Sequence, residues 1–124
     1  MCMYHRYMHT TFYVISWVVA AVLFVSGAIK LSGIEQTVKM REHLRIEDDF
    51  WVLAGALEML ALPGVAFGVL LSELLMIVVL IGACALTGIA VVIHLDVEDG
   101  PRAYAPSSLM VVLSAMGIWA GVLA

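Results

Sequence analysis

From Phe50 to Leu95 the chain runs for 46 residues with only two charged side chains, Glu58 and Glu73. A bilayer core of about 30 Å needs about 20 apolar residues in a helix, so this run is too long for one crossing and right for two. The natural fold-back lies at 68–73, where Ser72 and Glu73 interrupt the apolar pattern. Two further stretches, 10–29 and 103–124, carry no charge at all. Barrel strands alternate over about ten residues, and these runs do not, so helices are expected. The expected fold is therefore all-α: an integral membrane four-helix bundle, one domain over 1–124. Its spans are about 10–29, 50–70, 74–95 and 103–124.

Composition points the same way. Apolar residues make up 64% of the chain and charged ones 13%. A soluble domain carries about 25% charged residues, and one this small could not hide so much apolar surface from water. Phe12, Tyr13 and Trp17 lie near the start of the first run, where aromatic rings favour the headgroup level. The first run also resembles a signal peptide, with Arg6 ahead of it and Ser26, Gly27 and Ala28 near its end. Its apolar stretch is longer than a signal core, so it reads as a retained span. Pro63-Gly64 reads as a kink, since a break inside lipid must be satisfied by neighbouring helices. A net charge of −4 lacks the basic face that a nucleic-acid partner requires. Cys2 and Cys84 cannot form a disulfide framework, and Cys84 reads as a small buried hydrophobe.

The hydrated connections are 30–49 and 96–102, and four crossings put both on one side. Lys30, Lys39, Arg41, Arg45 and Arg102 lie there, against Arg6 alone on the other side, which makes the first side cytoplasmic. Eight of the ten acids share that side, which weakens the bias. Within the longer connection, 34–45 has the pattern of an amphipathic surface helix, with Ile34, Val38, Met40 and Leu44 among charges.

Lipid offers no hydrophobic force to hold helices together, so close packing at small residues must serve. Gly64-x-x-x-Gly68, Gly117-x-x-x-Gly121 and the Ala83, Thr87, Ala90 stripe supply such surfaces. They also suit a homo-oligomer, which the sequence does not decide.

Three polar residues fall within or at the ends of spans. A charge at the centre of a membrane helix costs about 2.5–3.5 kcal/mol on insertion scales. Glu58 is about 12 Å into its helix, counting about 1.5 Å per residue from Phe50. It shares a face with Ala54 and Ala61, which points it at packed backbone. Lys30 closes the first span, and His94 nears the end of the third. All three lie at similar depth, next to the 30–49 side. Each has a plainer reading: Lys30 a snorkelling anchor, His94 a helix cap, Lys30–Glu58 a pair that fixes register. Glu73, at a turn, reads as a solvated loop charge.

Gly27-Ala28-Ile29-Lys30-Leu31, Gly55-Ala56-Leu57-Glu58 and Ala90-Val91-Val92-Ile93-His94 follow one another on successive spans. In this the chain resembles the DoxX-like small membrane proteins, over roughly Phe24 to His94. The resemblance implies a four-helix membrane bundle with Lys30, Glu58 and His94 at the matched polar positions. It also implies a loose association with redox chemistry. Some relatives are subunits of a thiosulfate:quinone oxidoreductase, and others partner with thiol- or superoxide-handling proteins. The chain has no matched Cys pair, no haem or iron–sulfur spacing and no nucleotide loop, so no intrinsic cofactor and no metal is expected.

Two functions follow. The first is a multi-pass cell-membrane subunit, or partner, of an oxidoreductase system. It docks a redox partner protein and binds a quinone or another lipophile near Lys30, Glu58 and His94, where Glu58 or His94 exchanges protons with the ring. The second is a stand-alone isomerase-type enzyme with Glu58 as acid or base beside Lys30, acting on an apolar substrate. Transport is disfavoured, because four helices leave little room for a path and broken half-helices are absent from the pattern.

Overall fold

The computed structural model describes residues 2–124, with side chains from Met3 onward. Five helices follow in order: α1 (Cys2–Ser32), α2 (Glu35–His43), α3 (Asp48–Leu71), α4 (Glu73–Asp96) and α5 (Pro101–Leu123). All but α2 are long and apolar enough to cross a membrane. α1 packs chiefly on α3 and α5, and α4 on α5 and α3, so the four long helices form a closed ring with α2 beside one end.

The ends of the helices follow from local chemistry. α1 stops where Gly33 adopts φ +72°, the left-handed conformation that ends helices at low cost in glycine. Its start differs from expectation. The polar segment 2–9 precedes the first span in sequence, yet it is helical. No proline or glycine interrupts the chain before Gly27, so the helix continues past the hydrocarbon for about two turns. Asp48 and Asp49 occupy the first turn of α3, where the helix dipole favours anions. Pro63 lies inside α3 without ending it. A single residue, Ser72, joins α3 to α4. Its backbone is extended, and its hydroxyl accepts the Leu74 N–H at 3.2 Å, capping α4. Pro101 opens α5 behind Gly100, where its missing N–H is harmless.

The bundle is apolar outside and tight inside. Val14, Val18, Val22 and Val25 of α1 and Leu74, Val78, Ile81, Ile89 and Val92 of α4 are exposed at helical spacing, a surface suited to lipid. The interior holds Phe12, Val19, Val65, Met76 and Leu80, together with Ser16, Thr87 and Ser114. Ser16 and Thr87 donate to the carbonyls of Phe12 and Ala83, four residues earlier, so their hydroxyls cost little there.

Glycines set the approach of the helices. Gly64 and Gly68 of α3 lie against Val79 and Met76 of α4. Gly117 of α5 lies against Ile15 and Leu80, and Gly121 against Phe12. Both Gly-x-x-x-Gly patterns are thus spent within one bundle and give no argument for a second copy. Glu73 is the solvated charge expected of it, its side chain 41% exposed, and it also has partners. Tyr13 donates to its Oε1 at 3.2 Å, and His9 Nδ1 lies 3.4 Å from the same oxygen, so it ties the α4 start to α1. The connecting helix α2 is shorter than the 34–45 segment, and it does not bury one apolar face. Ile34 and Met40 are exposed, whereas Leu44, just beyond its end, is buried.

Candidate functional site

A close approach of α1 and α3 places the site. Gly27 meets the carbonyl oxygen of Gly55, so the two backbones touch one helical turn before Lys30. Lys30 Nζ then reaches Glu58 Oε1 at 2.5 Å. The carboxylate side chain is 8% exposed and the lysine 20%. Lys30 Nζ also lies 5.1 Å from the centre of the Trp51 ring, within reach of a cation–π attraction. Trp51 is one of the buried residues of α3. The second carboxylate oxygen, Glu58 Oε2, is buried and has no hydrogen-bond partner among the described residues.

Lys30, Glu58 and His94 line one cavity of about 100 Å³. Trp51 and Ala54 of α3, Leu86 and Ile93 of α4, and Leu44 from the α2–α3 connection form apolar wall. Sequence reasoning put the three polar residues at one depth, and the structure brings all three to this cavity. It does not tie them into one hydrogen-bonded cluster. Lys30 and Glu58 pair with each other, whereas His94 donates from Nδ1 to Asp99 Oδ2 at 2.7 Å.

Asp99, which the sequence did not single out, holds His94 from behind the cavity lining. Glu98 takes φ 61°, a left-handed conformation that is uncommon for a residue with a side chain. The chain reverses there, and the Asp99 N–H bonds the carbonyl of His94 at 3.0 Å, which closes the C-terminal turn of α4. The Asp99 side chain accepts a second hydrogen bond, from His43 Nε2 at 2.6 Å. These bonds, that from His94 first and that from His43 next, hold the Asp99 carboxyl below the usual carboxylate range. His43 closes α2, so the α2 connection is pinned to the turn after α4. No sequence pattern links His43, Asp99 and His94 before the left-handed turn is known.

Chemically, the site offers one cation and one anion in an apolar wall, with hydrogen-bonding capacity to spare. A lysine ammonium has three donors and Glu58 takes one of them; a carboxylate oxygen can accept two bonds and Oε2 takes none. The described residues contain no group of three or more His, Cys, Asp or Glu side chains able to hold a metal ion.

Neither a curated protein nor a solved structure matches the chain. The DoxX-like family matches residues 14–117, which takes in Lys30, Glu58 and His94 together with four-fifths of the sequence. The chain, a membrane protein of four long apolar helices, belongs to the DoxX-like family.

Proposed function

We propose that this protein is a membrane subunit or partner of an oxidoreductase system, and that the Lys30–Glu58–His94 cavity binds the head of a quinone or a similar flat lipophile. One observation carries the reading: Glu58 Oε2 is buried without a partner, at an apolar cavity where Lys30 has donors to spare. A buried polar atom without a partner costs about 1–3 kcal/mol, so a ligand that donates to it is favoured. The paired charges cancel, which suits an uncharged guest. A ring carbonyl accepts from Lys30 Nζ and a ring hydroxyl donates to Glu58 Oε2, so both redox forms of a quinone find a partner. Size limits the guest, because a dry cavity of about 150 Å³ holds benzene. A cavity of about 100 Å³ takes the edge of one ring and leaves the tail among the lipid-facing helices.

A titration with a short-chain quinone, read by quenching of tryptophan fluorescence, tests this. Saturable quenching is expected in the wild type. In Glu58→Gln the affinity for the reduced quinol, titrated in the same way because its hydroxyl is the donor to Oε2, falls about tenfold or more, the usual loss when a buried charged acceptor goes. Equal affinity in the two proteins removes the site. The same free oxygen supports a second reading, an isomerase-type enzyme in which Glu58 carries a proton on an apolar substrate. Unchanged turnover of a candidate substrate by Glu58→Gln excludes it.

We further propose a location in the cell membrane with 30–49 and 96–102 in the cytoplasm, because five of the six Lys and Arg residues lie in these two loops. A single cysteine at Gln36 in a background lacking Cys2 and Cys84 is expected to resist impermeant maleimide in intact cells and to react after lysis. Reaction in intact cells reverses the orientation.

A further inference from the structure

Resting on the cavity reading above, we infer that His43, Asp99 and His94 form a proton relay between water and the cavity. His43 is well exposed on the α2 connection, with 59% of its side chain open, and its Nε2 lies 2.6 Å from Asp99 Oδ1. Asp99 Oδ2 lies 2.7 Å from His94 Nδ1, and both of these side chains are only 13% exposed. His94 lines the cavity that holds Glu58 and Lys30. Three titratable groups therefore run from solvent to the cavity wall without a gap longer than a hydrogen bond.

Helix capping alone does not call for this arrangement. The imidazole at the end of α4 would already favour the helix dipole by itself. Instead, Glu98 is held in an uncommon backbone conformation that turns Asp99 back onto His94, and α2 delivers a second imidazole to the other oxygen. The other charged groups at this corner do not enter the chain of contacts. Arg41 pairs with Asp48 at 3.8 Å, and Arg45, Glu47 and Asp96 are exposed.

The geometry fixes the direction in which the relay is set. Asp99 accepts from Nδ1–H of His94, so the other ring nitrogen, Nε2, carries the lone pair in the neutral ring. No described residue donates to it. A ligand hydroxyl gives its proton to Nε2: the O–H bond breaks as N–H forms. The Nδ1 proton of His94 passes to Asp99 Oδ2, the carboxyl turns about Cβ–Cγ, and the proton moves on to Nε2 of His43. That ring, open to water, has first exchanged to its other neutral tautomer, taking a proton from water on Nδ1 as its Nε2 proton leaves; the imidazolium formed by the transfer then releases the Nδ1 proton to solvent. One proton leaves the ligand and one reaches water; the reverse sequence brings a proton in. The His94 ring resets by turning over before the next transfer.

The experiment is nitrogen-15 NMR of histidine-labelled full-length protein in detergent micelles, reading exchange of the His94 ring N–H with water. Wild type is compared with His43→Ala, His43→Ala supplemented with free imidazole, and Asp99→Asn. Loss of either group is expected to slow exchange at His94 by about tenfold or more, the low end of what a positioned proton carrier contributes. Imidazole is expected to restore it in His43→Ala. Unchanged exchange in His43→Ala overturns the relay, since the proton then reaches His94 by another route. Faster exchange also overturns it, because His43 would then act only as a clamp shielding the site. The quinone titration on His43→Ala separates the two proposals. His43 does not line the cavity, so binding is expected to equal wild type. Slowed exchange without quinone binding in any protein leaves the relay standing and removes the ligand reading.

Discussion

Replacing Lys30 by Met is expected to cost about 3–5 kcal/mol of stability, the usual penalty when one partner of a buried ion pair is removed. The reason is what remains. Glu58 Oε1 loses its partner at 2.5 Å, and Oε2 already has none, so a side chain 8% exposed is left with an unpaired carboxylate. The attraction to Trp51 is lost as well, which adds about 0.5–2 kcal/mol. Removing both charges behaves differently. In Lys30→Met/Glu58→Met the apolar wall closes over two apolar side chains, and such replacements are often neutral. The double variant is therefore expected to recover most of the loss, short of the Trp51 contribution. Reversible unfolding in detergent, followed by circular dichroism, yields the cycle. If the single and double variants are equally destabilised, the charge argument fails and the loss belongs to packing.

The second large effect is at Gly27. A Cβ there collides with the carbonyl oxygen of Gly55, meets Met59 Cγ at 2.8 Å and its backbone N at 3.0 Å. The side chain can swing away, but the backbone of α3 cannot, so α1 and α3 must part. Overpacking of this kind costs about 1–3 kcal/mol. Gly82 on α4 is the internal control, with nothing within 4 Å of its would-be Cβ. Both positions are in helices, where alanine is worth about 0.5–1 kcal/mol over glycine. Gly82→Ala is expected to gain that amount, and Gly27→Ala to lose more than the gain offsets. Separation of the helices also stretches the Lys30–Glu58 pair one turn away, so if the proposed quinone seat is right Gly27→Ala is expected to lose affinity and Gly82→Ala to keep it. Equal unfolding midpoints for the two variants contradict the close approach.

The parts of this picture that follow from single helices were legible in the sequence. Glu58 lies deep in an apolar run on a face with Ala54 and Ala61, and a carboxylate so placed must face inward. Lys30 and His94 end spans on the same side of the membrane, so their shared depth followed from counting crossings. The parts that depend on backbone reversals were not legible. Asp99 reached His94 only because Glu98 is left-handed, and a glutamate gives no hint of that conformation. His43 joined them through the placement of a connecting helix, α2, which carries too few apolar residues to announce its docking. The glycine patterns announced close packing but not its partners, since spacing along one helix says nothing about which neighbour fills the groove. The partners of Glu73 were hidden for a related reason. A charge beside a turn looks unpartnered until the helical start of α1 brings His9 and Tyr13 alongside.

The cavity beside Glu58 as a seat for a quinone head is the claim on which the function rests. Photolabelling of the purified protein with an azido-quinone, followed by peptide mass spectrometry, addresses it directly. Label is expected on the segments that carry Phe50 and Trp51 and those that carry Ile93 and His94, and excess unlabelled quinone is expected to suppress it. Label spread over lipid-facing positions such as Val14 and Trp119, indifferent to competitor, would contradict the account.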